Sequence, residues 1–515
     1  MDYQALAQEY VRLRLQWAFG IPGGGPSLQL IDAMMRAGVS FITTGHETTA
    51  ALMAGAVSRV SGVPSAAITI KGPGFMNLVP GLLSNAYEGY PMLSVSETYA
   101  PGVAGIRRHK WLAHAQVFGS FGKAFGYWDG TPDLVGRCWR RAISEFPGPV
   151  HLELADGPCI EPEEETDVPD DPSVVTACIQ RAERPVLVVG SVALRAPWRR
   201  FLPQVQVPIF TTVAAKGVIS ELSRYAAGVY TGDGKPVTPE KKLLPAADLI
   251  VAIGVRSGEV LSPGFPDAEC IRLDTAAVRS RGVFPPGNTE GVRHLSDPGF
   301  NEVFQELLRK SWGEDEIVDA YGAMEKALRP RGWSPVRIYG VVAGALPHAI
   351  HVLDTGNFTV VGEHMLRVKV EQEVFGTPNG RYMGFGIGYA LGAAIASGNR
   401  PVVLWIGDGG IRAFFSELSL AVEQRLKLLV LVMSDGYFGS IRGRAEVQGW
   451  CTEPLRMQGR DLRRIAEAMG MDALAVENDE SLVGVLEAWR ANPQPMLIRC
   501  DFDTEEYANV AEILR

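Results

Sequence analysis

The sequence predicts an α/β fold made of three doubly wound parallel-sheet domains. Short apolar segments with the character of strands recur along all 515 residues and alternate with longer helical segments, which is the pattern of parallel sheets covered by helices. Two stretches rich in proline and charge interrupt the alternation, at residues 161–172 and 329–332. Because such stretches pack poorly, we interpret them as linkers. The domains are then residues 1–160, 175–320 and 335–515.

The first domain shows the alternation clearly. Its apolar segments Ser65–Ile70, Pro91–Val95 and Pro149–Leu154 have the length and composition of buried strands. Helical segments alternate with them at Thr48–Val60 and Leu78–Tyr87. We therefore expect a parallel sheet with helices on its faces.

The central domain repeats this pattern. Four of its apolar segments are expected to be strands, and several end in glycine or aspartate: Pro185–Val189, Val207–Thr212, Leu249–Ile253 and Cys270–Leu273. The repeated β-α unit is typical of a doubly wound sheet.

The third domain places an acidic residue at the end of each of two buried strands. Gly407-Asp408-Gly409 follows the apolar run 402–406, Ser434-Asp435-Gly436 follows the run 428–433, and one helical segment lies between them near 415–424. Open α/β sheets bind ligands at the carboxyl ends of their strands. Glycines let a phosphate approach the backbone, and two carboxylates suit Mg²⁺. We therefore expect a site for Mg²⁺ and a diphosphate here.

The bulk composition excludes several classes of protein. The net charge is −9 and no basic run is present, so we expect no nucleic-acid partner. No apolar stretch reaches the roughly 18 residues that suggest a membrane span, so we expect no membrane partner. The six cysteines are scattered without metal-binding spacing, and the amino terminus lacks signal-peptide features. A cytoplasmic location is therefore predicted.

Further motifs extend this pattern over nearly the whole chain. They are Phe19–Gly24, Gly45-His46-Glu47, Gly72-Pro73-Gly74 and Arg381–Gly386. By their order and spacing, together with Gly407-Asp408-Gly409, the chain resembles the thiamin-diphosphate-dependent family of acetolactate synthase, benzoylformate decarboxylase and pyruvate decarboxylase. The resemblance implies pyrimidine-binding, central and diphosphate-binding domains, with thiamin diphosphate and Mg²⁺ as cofactors. It also implies a homodimer or homotetramer, with each site between the first domain of one subunit and the third domain of another.

The resemblance assigns the metal to three positions in the third domain. Asp408 is the first ligand, and the family's second ligand is usually an asparagine 27 positions later, where this chain has Asp435. The backbone carbonyl of Tyr437 would be a third ligand. Asp435 keeps an oxygen ligand but adds negative charge beside a diphosphate. The alternative is that Asp435 only caps a turn after its strand, as aspartate often does.

Glu47 is the catalytic candidate. It lies where the predicted strand Phe41–Thr43 turns into a helix, and there it matches the family glutamate that hydrogen-bonds the cofactor's aminopyrimidine ring. That contact lets the exocyclic nitrogen of the ring remove the thiazolium proton. The alternative is an ordinary acidic residue in a first helical turn, which the helix dipole favours. An apolar flank of Ala50, Ala51 and Met53 would bury the carboxyl group.

Other cofactor contacts follow from the same resemblance. Met383 would bend the cofactor, or it could be an ordinary core methionine, and the backbone around Arg381 would meet the pyrimidine. The expected diphosphate contacts are Asn357, Phe358, Gly407, Asp408, Gly409, Gly410 and Ile411. The first two depart from the family's usual Gln-His pair.

Three residues are candidates for binding substrate. Gly24 leaves no proton donor where pyruvate decarboxylases have an acidic residue and benzoylformate decarboxylases a serine, although it could simply belong to a flexible turn. Lys71 could bind a substrate carboxylate or point to solvent. Lys110 lies in the basic stretch Arg107–Trp111, which could bind an anionic substrate or form a solvated loop.

The central domain binds flavin in some relatives and ADP in others. The family's flavin-binding stretch is usually Arg-Phe-Asp-Asp, and this chain has Arg256-Ser257-Gly258-Glu259. We therefore do not expect FAD.

Gly24 favours an acetolactate-synthase-like carboligase, which decarboxylates a 2-oxo acid and adds the resulting enamine to a second carbonyl compound. A simple 2-oxo acid decarboxylase that releases an aldehyde is the alternative within the family. Asp435 and Asn357-Phe358 also leave open a catalytically inactive cofactor-binding homologue. A nucleotide-binding oxidoreductase is more distant, because no G-x-G-x-x-G motif follows a strand.

Overall fold

A computed structural model gives the architecture of the chain. It describes residues 2–99, 110–154, 169–232, 234–256, 259, 268–275, 292–329, 332–457, 461–502, 507 and 514. Most of the first expected linker, residues 161–168, and the core of the second, residues 330–331, lie outside this described part. Three six-stranded sheets, all of them parallel, form the scaffold. The predicted fold class is therefore confirmed.

The first sheet has the strand order β2-β1-β3-β4-β6-β5. Its strands are β1 Trp17–Gly20, β2 Ser40–Thr43, β3 Ala66–Thr69, β4 Met92–Glu97, β5 Ala124–Tyr127 and β6 Pro149–Leu154. Its helices are α1 Tyr3–Arg12, α2 Pro26–Arg36, α3 Glu47–Ser61, α4 Pro73–Glu88, α5 His114–Phe118 and α6 Leu134–Ile143. Helix α4 starts five residues before the predicted Leu78, because Pro73 is well suited to a first helical position, where no amide hydrogen bond is required.

The central sheet has the order β12-β11-β10-β7-β8-β9. Its strands are β7 Pro185–Val189, β8 Ile209–Thr211, β9 Ala226–Val229, β10 Leu249–Ile253, β11 Glu269–Asp274 and β12 Val292–His294. The helices that accompany it are α7 Pro172–Arg181, α8 Pro239–Leu243, α9 Asp297–Leu307 and α10 Glu314–Ala327. All four predicted strands are present, each within two residues of its expected ends.

The third sheet has the order β14-β13-β15-β16-β18-β17. Its strands are β13 Ile350–Leu353, β14 Val374–Gly376, β15 Val402–Gly407, β16 Leu428–Ser434, β17 Asp472–Val476 and β18 Met496–Asp501. Its helices are α11 Pro335–Ala345, α12 Asn357–Met365, α13 Gly386–Ala396, α14 Ser419–Glu423, α15 Gly439–Val447, α16 Leu462–Ala468 and α17 Asp479–Ala491. Counted from its own first strand, this order equals that of the first sheet.

The first and third domains share one hydrophobic core. Helix α3 packs on helix α13, and buried residues of both belong to the same apolar cluster. The helices approach closely because α13 carries small residues: a Cβ atom on Gly392 would lie 2.5 Å from the carbonyl oxygen of Met53. This packing brings the carboxyl end of β2 toward the third domain.

The helices of the described segments differ from membrane spans in length and apolar character. None of them is long and apolar enough to cross a bilayer.

Candidate active site

The two predicted metal ligands lie on neighbouring strands of the third sheet. Asp408 follows β15, and its Oδ2 accepts hydrogen bonds from the Gly436 amide at 2.9 Å and the Ser434 hydroxyl at 3.3 Å. Asp435 follows β16, and its Oδ1 accepts from the Tyr437 amide at 3.1 Å. The turn-capping alternative for Asp435 is therefore realised in the geometry, and its role as a metal ligand stays a prediction.

The electrostatics of this edge favour a cation. Burial, and after it the charge of Asp408, raises the pKa of Asp435 to about 6. Burial is also the main reason why the pKa of Asp408 lies above its usual value, and the nearby charge of Asp501 adds to it. Two partly desolvated carboxylates that disfavour each other's ionised form would be stabilised by a divalent ion. This donor set of hard oxygens fits Mg²⁺.

A tight glycine turn lies next to the acidic pair. A Cβ atom on Gly410 would lie 2.4 Å from Oδ2 of Asp354, so no side chain can occupy this position without a shift of its neighbours. Asp354 in turn accepts from the amides of Gly384 at 2.9 Å and Gly386 at 3.0 Å. Residues Gly410–Arg412 form a single 3₁₀ turn rather than the start of a long helix. The bare backbone still suits a phosphate group.

Asn357 and Phe358 begin helix α12, but their side chains differ in environment. The Phe358 ring is buried and lies close to Gly356 and Gly407. Its Cε1 atom is 3.3 Å from the position that a Cβ atom on Gly407 would take. Asn357 is only partly buried. Any polar side-chain contact to a diphosphate from this pair would therefore come from Asn357.

Met383 lies in the segment 377–384, which joins β14 to α13. Its side chain is 45% exposed, so the alternative of an ordinary core methionine does not hold in this chain. Arg381 has a left-handed backbone with φ of 50°, and its guanidinium pairs with the buried Glu363 at 3.1 Å. The Arg381 side chain is thus turned toward its own domain, while Met383 is presented at the surface.

Glu47 is the first residue of α3 and only 6% exposed. Its Oε2 accepts a hydrogen bond from the Asn77 side chain at 3.1 Å. A Cβ atom on Gly74, the second residue of α4, would lie 3.3 Å from Oε1, so the glycine leaves room beside this oxygen. The predicted apolar flank, including Ala50 and Met53, is fully buried. Glu47 is therefore a desolvated carboxyl group with one fixed donor.

The substrate candidates Gly24, Lys71 and Lys110 belong to neighbouring loops of the first sheet. Among the residues that the structure describes, none has a heavy atom within 4 Å of a Cβ placed on Gly24, so they leave open space at this position. A Cβ atom on Gly72, next to Lys71, would lie 2.0 Å from the Lys110 carbonyl oxygen. Lys110 itself is exposed, and residues 107–109 of the basic stretch lie outside the described residues.

Glu97, at the end of β4, is a residue of this edge that the sequence did not single out. It accepts from the Ser27 hydroxyl at 2.7 Å, the Ser27 amide at 3.0 Å and the Lys71 ammonium at 3.1 Å. Burial works against the charge of Glu97, but these three donors outweigh it and hold the pKa of Glu97 below its usual value. Lys71 therefore has an anionic partner and is not a free cation. The position of Glu97 at the end of a strand was the one feature of the sequence that could have identified it.

Glu417 is a second carboxylate that the sequence did not predict, and it connects the carboxyl ends of the first and third sheets. Glu417 lies nine residues after Asp408 and accepts a hydrogen bond from the Gly45 amide at 3.1 Å. Gly45 lies two residues before Glu47. The rings of His46 and Phe414 pack edge to face with centroids 5.7 Å apart. Burial raises the pKa of Glu417 to about 7. Residues next to Glu47 in the first domain are thus in contact with residues that follow Asp408 in the third domain.

Buried histidines support the Gly72–Gly74 turn from behind. The Gly72 amide donates to Nε2 of His114 at 3.0 Å, so the ring proton is on Nδ1, which lies 2.5 Å from a Glu153 carboxylate oxygen. His151 bonds to Ser94 and Ser96 in the same cluster. A group of two histidines and a glutamate can hold a metal. Here both nitrogens of His114 already have protein partners, so the group acts as a hydrogen-bond support.

Arg256 of the central domain, which begins the stretch compared with the flavin motif, is engaged by the protein itself. It forms a buried ion pair with Asp274 and its guanidinium lies 4.0 Å from the centroid of the Phe146 ring. Glu259 accepts from the Ser191 amide at 3.0 Å. Ser257 and Gly258 lie outside the described residues. The absence of FAD stays a prediction.

Three family models match the chain in the order of its domains. They describe the N-terminal thiamine pyrophosphate (thiamin diphosphate) binding domain at residues 3–113, the central domain at 173–285 and the C-terminal thiamine pyrophosphate binding domain at 354–500 of thiamine pyrophosphate enzymes.

Curated relatives match over almost the full length but at low identity. An acetolactate synthase of Bacillus subtilis is 25% identical over 96% of this chain and 91% of its own. A 2-hydroxyacyl-CoA lyase of Arabidopsis thaliana is 23% identical over 97% of this chain and 95% of its own. A probable 2-ketoarginine decarboxylase of Pseudomonas aeruginosa is 23% identical over 89% and 86%. Three different reactions are represented at nearly the same identity.

Proposed function

Because the chain belongs to the thiamin-diphosphate-dependent enzymes of carbon–carbon bond chemistry, we propose that it is a Mg²⁺-dependent carboligase acting on a 2-oxo acid. The proposal rests on the carboxyl ends of the first and third sheets. Glu47 is buried at the end of the first sheet, and two mutually repelling aspartates lie beside a glycine turn at the end of the third. The scattered cysteines support a cytoplasmic location, since those in the described residues form no disulfide.

Bound thiamin diphosphate supplies a carbon nucleophile and an electron sink for decarboxylation and for carbon–carbon bond formation. In the proposal, Glu47 holds and returns the proton that the aminopyrimidine ring needs. Asn77 fixes the orientation of that carboxyl group by donating to Oε2, which leaves Oε1 for the cofactor. The apolar surroundings keep water from competing for the same proton.

The third domain would hold the diphosphate through its metal. Asp408, Asp435 and the carbonyl oxygen of Tyr437 would be the protein ligands of Mg²⁺, and the ion would relieve the repulsion between the two carboxylates. The backbone of the Gly407–Ile411 turn and the side chain of Asn357 would contact the phosphate oxygens. Asp435 would therefore act as ligand and turn cap together.

The site would be completed by a second subunit. Met383 is exposed in the single chain, although its proposed role is to press against the cofactor. Other large apolar side chains near the two edges are also exposed: Met76, Trp111, Ile441, Val447 and Trp450. Exposed apolar groups of this size are typical of interaction surfaces. We infer a homodimer or a homotetramer in which Glu47 and Asp408 of one site come from different chains.

The surroundings of Gly24 favour carboligation over simple decarboxylation. Release of an aldehyde needs an acid that protonates the reacting carbon. Among the described residues, Glu97 is the carboxyl group next to the glycine turn, with Oε1 3.4 Å from a Cβ placed on Gly25. Its pKa is held low by Ser27 and Lys71, so it would be a poor acid at neutral pH. A carbonyl acceptor in the open space at Gly24 would then compete successfully for the intermediate carbon.

A panel of 2-oxo acids tests the proposal, each incubated with thiamin diphosphate and Mg²⁺, with and without an aldehyde or second 2-oxo acid. The readouts are CO₂ release and mass spectrometry of the products, with Glu47→Gln as the control for enzyme-dependent turnover. We expect a C–C-coupled product that depends on the acceptor. Aldehyde release alone would support the simple decarboxylase, and cofactor binding without turnover of any acid would support the inactive homologue.

A further inference from the structure

The segment 377–384, which carries Met383, is fastened by its own domain at several points. Asp354 accepts from the Gly384 amide at 2.9 Å, and Glu363 pairs with Arg381 at 3.1 Å. The hydroxyls of Thr355 and Thr377 lie 3.0 Å apart. These contacts fix the two ends of the segment and leave residues 378–380 to be held from elsewhere.

Those residues are held by Glu88 of the first domain. One carboxylate oxygen of Glu88 accepts from the Gly380 amide at 2.8 Å, and both oxygens lie 3.2 Å from the Asn379 amide. The Asn379 side chain returns a hydrogen bond to the carbonyl of Tyr87 at 3.0 Å. A carboxylate that receives two backbone amides of a separate domain is a specific fastening, since amide and carboxylate geometry must match.

Burial of the Glu88 carboxyl group would be energetically unfavourable without the hydrogen bonds from those two amides. The residue is only 9% exposed. Burial raises the pKa of Glu88 to about 8, while the Gly380 and Asn379 amides and the charge of Arg381 favour the ionised form. The facing groups from neighbouring elements are Tyr90 and Tyr389. Packing alone explains poorly why Glu88 is buried, because the groups that offset its desolvation lie in the 377–384 segment.

Glu88 is the last residue of helix α4, and the other end of this helix touches Glu47. Asn77, in the second turn of α4, donates to Glu47 at 3.1 Å, and its carbonyl accepts from the Thr48 hydroxyl at 2.6 Å. Asn77 and Glu88 are eleven positions apart, which corresponds to roughly 16 Å of helix. One helix, which contains Pro80 between these two residues, therefore contacts the proposed catalytic carboxyl group and the segment that carries Met383.

We propose that Glu88 is a positioning residue: it holds the 377–384 segment in the conformation that binds cofactor and links that segment through α4 to Glu47. The cofactor part of this inference rests on the proposed function, because Met383 has its role only there. In a dimer with shared sites, Glu47 and Met383 of one chain serve different sites, so α4 would join the two sites of the dimer.

The test compares Glu88→Ala and Glu88→Gln with a matched control, Glu9→Ala. Glu9 is a buried glutamate that also accepts two backbone amides, from Asp133 at 2.8 Å and Val135 at 2.9 Å, within the first domain. Amide hydrogen exchange of residues 377–384 is measured in the cofactor-free full chain. The dissociation constant of thiamin diphosphate with Mg²⁺ is measured by calorimetry.

Glu88→Ala should speed exchange in 377–384 and weaken thiamin diphosphate binding, each about tenfold, as expected for loss of a pair of buried hydrogen bonds. Glu88→Gln, which keeps one acceptor oxygen, should give smaller changes of the same sign. Glu9→Ala should lower the unfolding temperature and change neither readout.

Unchanged exchange and unchanged affinity in both Glu88 variants would overturn the proposal, as would equal effects from Glu9→Ala. If Glu88→Ala does not fold, the comparison of Glu88→Gln with wild type decides. Failure of the wild-type chain to bind thiamin diphosphate would count against the proposed function, whereas the exchange data would still decide whether Glu88 holds the segment.

Discussion

The first and third domains have the same strand order, yet the carboxyl ends of their sheets have opposite chemistry. In the first sheet each carboxylate has its own donor: Asn77 for Glu47, and Ser27 with Lys71 for Glu97. In the third sheet, Asp408 and Asp435 lie next to each other, and each has a pKa above its usual value. The first sheet pairs Glu97 with a cation of its own, Lys71, whereas the two aspartates of the third sheet are proposed to share a bound Mg²⁺.

The difference shows that topology sets where a ligand binds and the edge residues set which chemistry is done there. Both sheets deliver loops to one side, as open α/β sheets do. Glu47 is a buried carboxyl group with one side-chain donor, and it is the group proposed to exchange a proton with the cofactor. Two neighbouring carboxylates whose pKa values are raised by burial are suited to holding a metal. The contact of Gly45 with Glu417 joins these two specialised edges within one chain.

The largest effect should come from removing the proton-holding group of the first edge. Glu47→Gln keeps the hydrogen-bonding shape but cannot exchange a proton, so kcat should fall by at least about 100-fold. Thermal unfolding and calorimetric cofactor binding should stay near wild type, which distinguishes chemistry from folding. Near-normal turnover in this variant would remove Glu47 from the mechanism.

Loss of the first metal ligand should abolish binding rather than chemistry. Asp408→Ala should weaken Mg²⁺-dependent thiamin diphosphate binding by at least about 100-fold, measured by calorimetry with and without Mg²⁺. The cofactor-free protein should not be destabilised by loss of the charge, because burial already disfavours it. Asp501→Asn serves as the control, since Asp501 has a partner in Arg499 at 2.7 Å. Equal weakening in both variants would contradict a specific ligand role.

A smaller change is expected when the anomalous ligand is replaced by the family's usual residue. Asp435→Asn keeps one side-chain oxygen for the metal but replaces the other, so at most the hydrogen bond from the Tyr437 amide is lost and the dissociation constant should stay within about tenfold of wild type. Asp435→Ala should bind clearly more weakly than Asp435→Asn. If the alanine variant binds Mg²⁺ and cofactor as well as wild type, Asp435 is a turn cap only.

The smallest expected effect is a difference in pH dependence between the two domains. Burial raises the pKa of Asp354 in the third domain to about 7 from 3.8, so its contribution to stability should be lost as pH rises through this range. The pKa of Glu97 in the first domain lies below 4.5, so its contribution should be lost as pH falls below that value.

Urea unfolding from pH 3 to 8 measures both contributions. The stability of wild type relative to Asp354→Asn should decline between about pH 4 and 7, and relative to Glu97→Gln it should decline toward acid pH. Parallel profiles for the two variants would contradict the contrast between the domains.

The sequence predicted those parts of the molecule that depend on local pattern. The central strands of each sheet are continuous apolar runs, so β7, β10 and β16 were placed within one residue of their ends. The candidate ligands Asp408 and Asp435 directly follow such strands, so their positions in the fold could be predicted for the same reason. Short or edge strands such as Ala124–Tyr127 and Val374–Gly376 were not expected, because a few residues carry little periodicity.

The contacts between domains were beyond the reach of the sequence. Glu88 meets Asn379 at a separation of 291 residues, and Gly45 meets Glu417 at 372. Each partner has an ordinary local context, a helix end or a turn, and becomes significant only when helices α3 and α13 pack together. Buried acids paired with distant backbone amides have no sequence spacing by which to recognise them.

Complementation between two inactive variants tests the central claim, that Glu47 of one edge and Asp408 of the other form one site from two chains. Chains with Glu47→Gln and chains with Asp408→Ala are co-expressed with different tags. Turnover of the best 2-oxo acid is then measured with thiamin diphosphate and Mg²⁺. Random pairing gives half heterodimers, each with one intact site of two, so about a quarter of wild-type activity should return. Activity no greater than that of the separate variants would contradict the account.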